Sequence, residues 1–236
     1  MSMARIAVDT PFDLVHVGKC GGSSIAEELK ARGFGFEHVH MRRPVARAGR
    51  RYVVLVRDPV ARFVSAFNWR RHLLEHDLLP AARCTDPIAR LRHDAERQFL
   101  AQFEDVNTFA ERLVRTGEFE VSPIATLMGL IGHVPQGFAW YLDDLLEAIV
   151  PEQMAAVIAT ERLTDDVERA FGFRPTAERN RHYPSSGASL SAQGRANLAR
   201  EFAAEYRTLQ RLGELARRAA APMTVAYDPL QGAVPA

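Results

Sequence analysis

Two short segments hold residue types that together suit an anionic ligand. In the first, Gly18-Lys19-Cys20-Gly21-Gly22-Ser23-Ser24 joins an apolar run at 13–17 to a helical pattern reaching about residue 32. A glycine-rich connection between strand and helix turns several backbone N–H groups toward one point and adds the positive end of the helix dipole, which suits phosphate or sulfate. Gly21, Gly22, Ser23 and Ser24 stand where those donors would lie. A plain tight turn before a capped helix has the same composition, and Ser24 with Glu27 has capping-box spacing. Lys19 sharpens the anion reading, because the 30 Lys plus Arg include only Lys19 and Lys30 as lysines. A compact ammonium can follow charge onto a leaving oxygen better than the wider guanidinium fork. Lys30, on the helix, is expected at the surface.

The second segment is Arg57-Asp58-Pro59-Val60-Ala61-Arg62-Phe63-Val64-Ser65. Asp58 as N-cap and Pro59 at the first helical position predict a helix from there to about Glu75. Arg62 and Ser65, three apart, share a helical face, and Arg57 precedes the helix start. Two guanidiniums and a hydroxyl can hold a phosphate dianion; the competing structural reading pairs Arg62 with Asp58 and packs Ser65 inside. Between the two segments, 34–41 alternates as a strand with Phe34, Phe36, His38 and His40 on one face. Histidine titrates near neutrality, so His38 and His40 are candidate general bases, with His40 favoured as nearer the strand's carboxyl end. Glu37 is a carboxylate alternative that strand alternation turns to the opposite face.

The elements that must position these residues alternate. Strands are expected at 13–17, 34–41, 52–56 and 154–160, with helices after the first, third and fourth, and a long helix over 191–218. That pattern predicts a three-layer α/β fold, a parallel sheet of about four to five strands flanked by helices, with ligands at the carboxyl ends of the strands where Lys19 and Arg57 fall. The segment at about 72–150 reads as helices and loops, with Phe99, Phe103, Phe109 and Leu113 as core contacts and Pro123 and Pro135 as breaks. One domain spanning 1–236 is the expectation for 236 residues that are 47% hydrophobic and 25% charged.

Composition narrows the classes further. The two cysteines, Cys20 and Cys84, give neither metal-ligand spacing nor a disulfide framework, which makes a reducing cytoplasm the expected location and no metal the expectation. No apolar run reaches the roughly 18 residues that cross a bilayer, and no signal-peptide core opens the chain. Arg42, Arg43, Arg47, Arg50 and Arg51 form a basic strip that suits an anionic ligand, or nucleic acid in a non-enzymatic alternative. The net charge of +1 argues against nucleic acid as a partner. A nucleotide-dependent kinase is the enzymatic alternative. Against it, the lysine precedes the glycines, whereas a Walker A loop places it after them, and no acidic magnesium site stands out.

The two segments, His16 to Ile25 and Arg57 to Ser65, resemble in order and position the two donor-binding motifs of sulfotransferases that use 3′-phosphoadenosine 5′-phosphosulfate (PAPS), nearest to the heparan-sulfate 2-O-type and related bacterial branch. The resemblance implies a P-loop-like sulfotransferase fold. It implies that Lys19, Cys20, Gly21, Gly22, Ser23 and Ser24 grip the 5′-phosphosulfate, with Lys19 stabilising the departing bridging oxygen, and that Arg57 and Ser65 hold the 3′-phosphate. His38-Val39-His40 matches the His-x-His pattern that carries the family's base. The loop 179–182, including Arg181, corresponds to one that closes on the nucleotide. The first motif departs from the commoner Pro-Lys-Thr-Gly by having Gly18 and Cys20, which keeps backbone contacts and removes a threonine hydroxyl. Ala159 to Leu163 and Glu201 to Leu212 are further, less specific matches. The activity implied is direct in-line sulfonate transfer, without a metal, to a hydroxyl or amine of an acceptor. Gln136, Trp140 and Tyr141 are candidates for the acceptor pocket, with a buried aromatic pair as the structural alternative.

Overall fold

The computed structural model describes residues 5–76, 78, 86–113, 123–176, 190–221 and 224–235. Its frame is a parallel sheet of β1 (Phe12–His16), β2 (Phe36–Val39), β3 (Arg51–Val56) and β4 (Met154–Ala159), in the order β2-β1-β3-β4. The expected three-layer α/β architecture is therefore present. Every residue of β1 and β4 is buried, as is β3 after Arg51, because helices cover both faces of a parallel sheet.

The chain leaves β1 through α1 (Gly22–Ala31) toward β2, then crosses to the other side of β1 to form β3. That reversal puts a crevice between the carboxyl ends of β1 and β3, the place where open α/β sheets bind ligands. Helix α1 starts at Gly22, earlier than a Ser24 cap would give. Gly21 is the N-cap with φ 75°, and no side chain caps it. Glycine makes this start possible: a Cβ on Gly22 would lie 2.2 Å from the His16 ring.

Helix α2 (Pro59–Glu75) begins as expected, with the Asp58 carboxylate accepting from the Ala61 N–H at 2.8 Å. The middle of the chain supplies α3 (Pro87–Leu100), α4 (Val106–Glu111), α5 (Pro123–Leu127) and α6 (Phe138–Ala148). Phe99, Phe103, Phe109 and Leu113 are all buried, and the rings of Phe63, Phe67, Phe103 and Phe109 pack together.

After β4 comes α7 (Leu163–Phe171), and the predicted long helix divides into α8 (Ala192–Glu201) and α9 (Ala203–Arg218). The break falls at Phe202, whose buried ring turns in to 5.5 Å from that of Phe63. Separated there, α8 packs on α4 and α9 on α6. An antiparallel hairpin of β5 (Val225–Asp228) and β6 (Gly232–Pro235) follows, which the Ala- and Arg-rich approach to it conceals in the sequence. No helix of the described residues is long and apolar enough to cross a membrane.

Candidate functional site

The two motif segments meet at the crevice. Arg57, at the end of β3, donates from Nη1 to the Lys19 carbonyl at 3.1 Å, joining the second segment to the first. Lys19 has φ 70° and Gly21 φ 75°, so the loop turns back on itself before delivering the chain into α1. Ser23 is exposed at the helix start, whereas Gly22 and Ser24 are buried. Cys20 is fully buried, and burial pushes its thiol up to about 12, so this residue offers the loop its backbone and no thiolate.

Electrostatics single out two cations. The Lys19 ammonium stands 4.3 Å from the centre of the Trp69 ring, and among the described residues neither it nor Arg57 is paired with a carboxylate. Burial, then the nearby Arg57 charge, lowers Lys19 to about 8. Two facing cations without counter-charge are costly in a partly buried cleft, and an anion between them would remove that cost.

The basic strip behaves in the opposite way. Arg47 and Arg50 both reach Asp13 at the amino end of β1, at 2.6 and 2.5 Å. Arg42 pairs with Glu37 and Arg43 with Asp144. These four arginines fasten the connection from β2 to β3, each engaged by a carboxylate of the protein itself, which corrects the expectation of a strip free for an anion. Glu37 is also withdrawn as a base: hydrogen bonds from Arg42 and Arg47 hold its carboxyl down at about 2.

Arg62 is a second correction. Its side chain is buried, donating to the His133 carbonyl at 2.9 Å and lying 3.9 Å from the Glu205 carboxylate. Its guanidinium is thereby committed to the loop before α6, which it supports. It does not pair through its side chain with Asp58 either. Asp58 instead accepts from the Tyr206 hydroxyl at 2.8 Å and from Arg195 at 3.2 Å, while Glu161 takes its backbone N–H at 2.8 Å. Ser65 is half-buried on α2, and Arg181 lies outside the described residues.

The histidines form a stack. His16, His38 and His40 have nearly parallel rings, with centroids 4.1 Å apart for His16 and His40 and 5.2 Å for His16 and His38. His16 Nδ1 and His38 Nε2 are 3.0 Å apart, and His40 Nδ1 lies 2.9 Å from the His16 carbonyl. Burial, then the neighbouring imidazoles, drives His16 down to about 2, so it stays neutral.

A fourth ring extends the stack. His133 sits 6.0 Å from His40 and 5.0 Å from Trp69, linking the histidines to the lysine. The sequence offered no signal for His133 or Trp69, since neither has a motif around it and both reach the crevice only through tertiary packing. Tyr141 is buried and its hydroxyl accepts from the Met41 N–H at 2.7 Å, so it fastens the chain beside His40; Trp140 remains partly exposed against it.

Fold and site together define an α/β protein with a glycine-rich loop at the switch point of its sheet, two cations beside it and histidines alongside. The chain matches no protein-family model, no curated protein and no solved structure.

Proposed function

We propose that this protein transfers a sulfonate group from PAPS to a hydroxyl or amine of an acceptor. The observation that carries the reading is the pair of cations without counter-charge, Lys19 and Arg57, facing one crevice beside the glycine-rich start of α1. In this reading the backbone N–H groups at Gly21 to Ser24 and the Lys19 ammonium hold the 5′-phosphosulfate, and Arg57 with Ser65 holds the 3′-phosphate. His40 takes the acceptor proton as the new bond to sulfur forms. The bond from sulfur to the bridging oxygen breaks, its electron pair stays on the phosphate, and Lys19 offsets that charge.

The test is a thermal-shift titration with the product nucleotide 3′-phosphoadenosine 5′-phosphate (PAP) against ATP and ADP, on the unaltered protein and on Arg57→Ala. Ligand at about a hundred times its dissociation constant adds roughly 2.7 kcal/mol of stability. Stabilisation by PAP alone, lost in the variant, is the expected result. Preference for ATP, or no shift with PAP, would reject the sulfotransferase reading in favour of a kinase or a different anion site.

A further inference from the structure

His133 belongs to a segment without any motif, yet the protein holds it against the crevice with unusual care. Its φ is 72°, a left-handed conformation that a non-glycine residue keeps only where its surroundings enforce it. Three buried or half-buried charged groups do so. Glu96, itself bound to Arg70 at 2.7 Å, accepts from the Gly132 N–H at 2.8 Å. Arg62 holds the His133 carbonyl at 2.9 Å, and Glu205 accepts from the backbone N–H groups of Phe138 and Ala139. Gly18 leaves the space the ring fills, since a Cβ there would come within 2.6 Å of His133 Nδ1.

The ring lies between His40 and Trp69, and Trp69 carries the Lys19 ammonium. In an in-line transfer the base and the leaving-group cation sit at opposite ends of the reaction axis, so a group between them faces the equatorial oxygens of the sulfonate. Nδ1 of His133 is buried without a partner. A proton on that nitrogen would be a stranded donor, so the neutral ring carries it on Nε2, which has no hydrogen-bond partner among the described residues.

We propose that His133 is a sulfonate-binding residue, donating its Nε2–H to a non-bridging oxygen of the sulfonate that the Lys19 loop holds. The inference rests on the sulfotransferase reading above and adds a residue on the acceptor side to the donor grip. It makes a prediction that the donor motifs alone do not: His133 distinguishes PAPS from PAP, because only the former carries the sulfonate.

Dissociation constants for PAPS and for PAP, measured by calorimetry on the unaltered protein, His133→Asn and His133→Gln, test it. Asparagine tolerates the left-handed backbone but is too short to reach, whereas glutamine carries an N–H about as far out as Nε2. His133→Asn is expected to weaken PAPS on the order of tenfold, the weight of one hydrogen bond to a charged group, and to leave PAP unchanged. His133→Gln is expected to recover part of that loss. Equal losses for the two nucleotides would make His133 a support of the loop, and an unchanged PAPS affinity would remove the contact; either overturns the proposal while the sulfotransferase reading stands. Failure of the unaltered protein to bind PAP would reject that reading and this inference with it. Nitrogen NMR of the His133 imidazole in the unaltered protein gives a check independent of the variants' folding: a response to PAPS that PAP does not produce is expected, and identical responses would overturn the proposal.

Discussion

His40 Nδ1 donates to the His16 carbonyl across 2.9 Å. A carbonyl oxygen can only accept, so this bond fixes the proton of the neutral His40 ring on Nδ1 and leaves the Nε2 lone pair for a substrate. His38 is placed differently, because its Nε2 already faces His16 Nδ1 at 3.0 Å. The choice between two histidines on one strand face, open in the sequence, thus acquires a physical basis.

From that difference, His40→Asn is expected to slow sulfonate transfer by about 10² to 10⁴, the usual weight of a general base, with PAP affinity retained. His38→Asn should cost less than about tenfold, since it loses a contact to His16 and no proton acceptor. Release of PAP from PAPS, followed chromatographically for both variants, separates the roles. Equal losses would place the base elsewhere.

Asp58 ties the second motif to the end of the chain. It caps α2, accepts from Tyr206 and Arg195, and gives its backbone N–H to Glu161, which also accepts from the Tyr227 hydroxyl at 3.0 Å. Asp58→Ala leaves a buried hydroxyl and a guanidinium without their acceptor, and a loss of about 3 kcal/mol in urea unfolding is expected. Tyr206→Phe removes one bond and should cost about 1 kcal/mol. A coupling of at least about 0.5 kcal/mol in the double-mutant cycle would show the two acting together.

The start of helix α1 can lie against the His16 ring only because Gly22 has no Cβ, so Gly22→Ala is a direct probe of the loop. The added methyl must displace a ring in a packed core, at a cost of about 1 to 3 kcal/mol, and should weaken PAP binding as the amides shift. Gly35→Ala is the control: a Cβ there meets nothing within 4 Å, and the change is expected within about 0.5 kcal/mol. Comparable melting temperatures for the two variants would argue against a glycine-dependent loop.

The sheet and its loop-bearing ends were legible because their signals are local. Tyr52 to Val56 is a continuous apolar run, Asp58-Pro59 is a cap with its helix start, and Lys19 stands out by composition. Partnership was not legible. Arg62 reads like Arg57 in the sequence, but one is buried beneath the His133 loop while the other faces the crevice. Arg47 and Arg50 read as a basic surface, although Asp13, more than thirty residues earlier, accepts from both. His133 and Trp69 were hidden for the same reason, since each joins the site through contacts far apart in sequence.

Above pH 8 the Lys19 ammonium of the free protein is lost, because burial and Arg57 have lowered it from 10.5 to about 8. Anion binding favours the charged form. The dissociation constant for PAP is therefore expected to rise as pH passes from 7.5 to 9.5, and Lys19→Arg, which stays charged, should flatten that rise. An affinity independent of pH in the unaltered protein would remove Lys19 from the anion site.

Stability should respond to acid through the buried histidines. His16 and His133 are lowered from 6.5 to about 2 and about 4, chiefly by burial, so between those values and 6.5 the unfolded chain binds more protons than the folded one. Stability is then fully present above pH 6.5 and falls as pH drops below it, by up to about 1.4 kcal/mol per pH unit for each histidine. Urea unfolding from pH 7.5 to 4.5 should show this decline, and His133→Gln should remove a sizeable part of its slope while His16 maintains the rest. Stability that is flat over this interval would mean that water reaches both rings and that the stack beneath the loop is looser than the 4.1 Å separation of His16 and His40 implies.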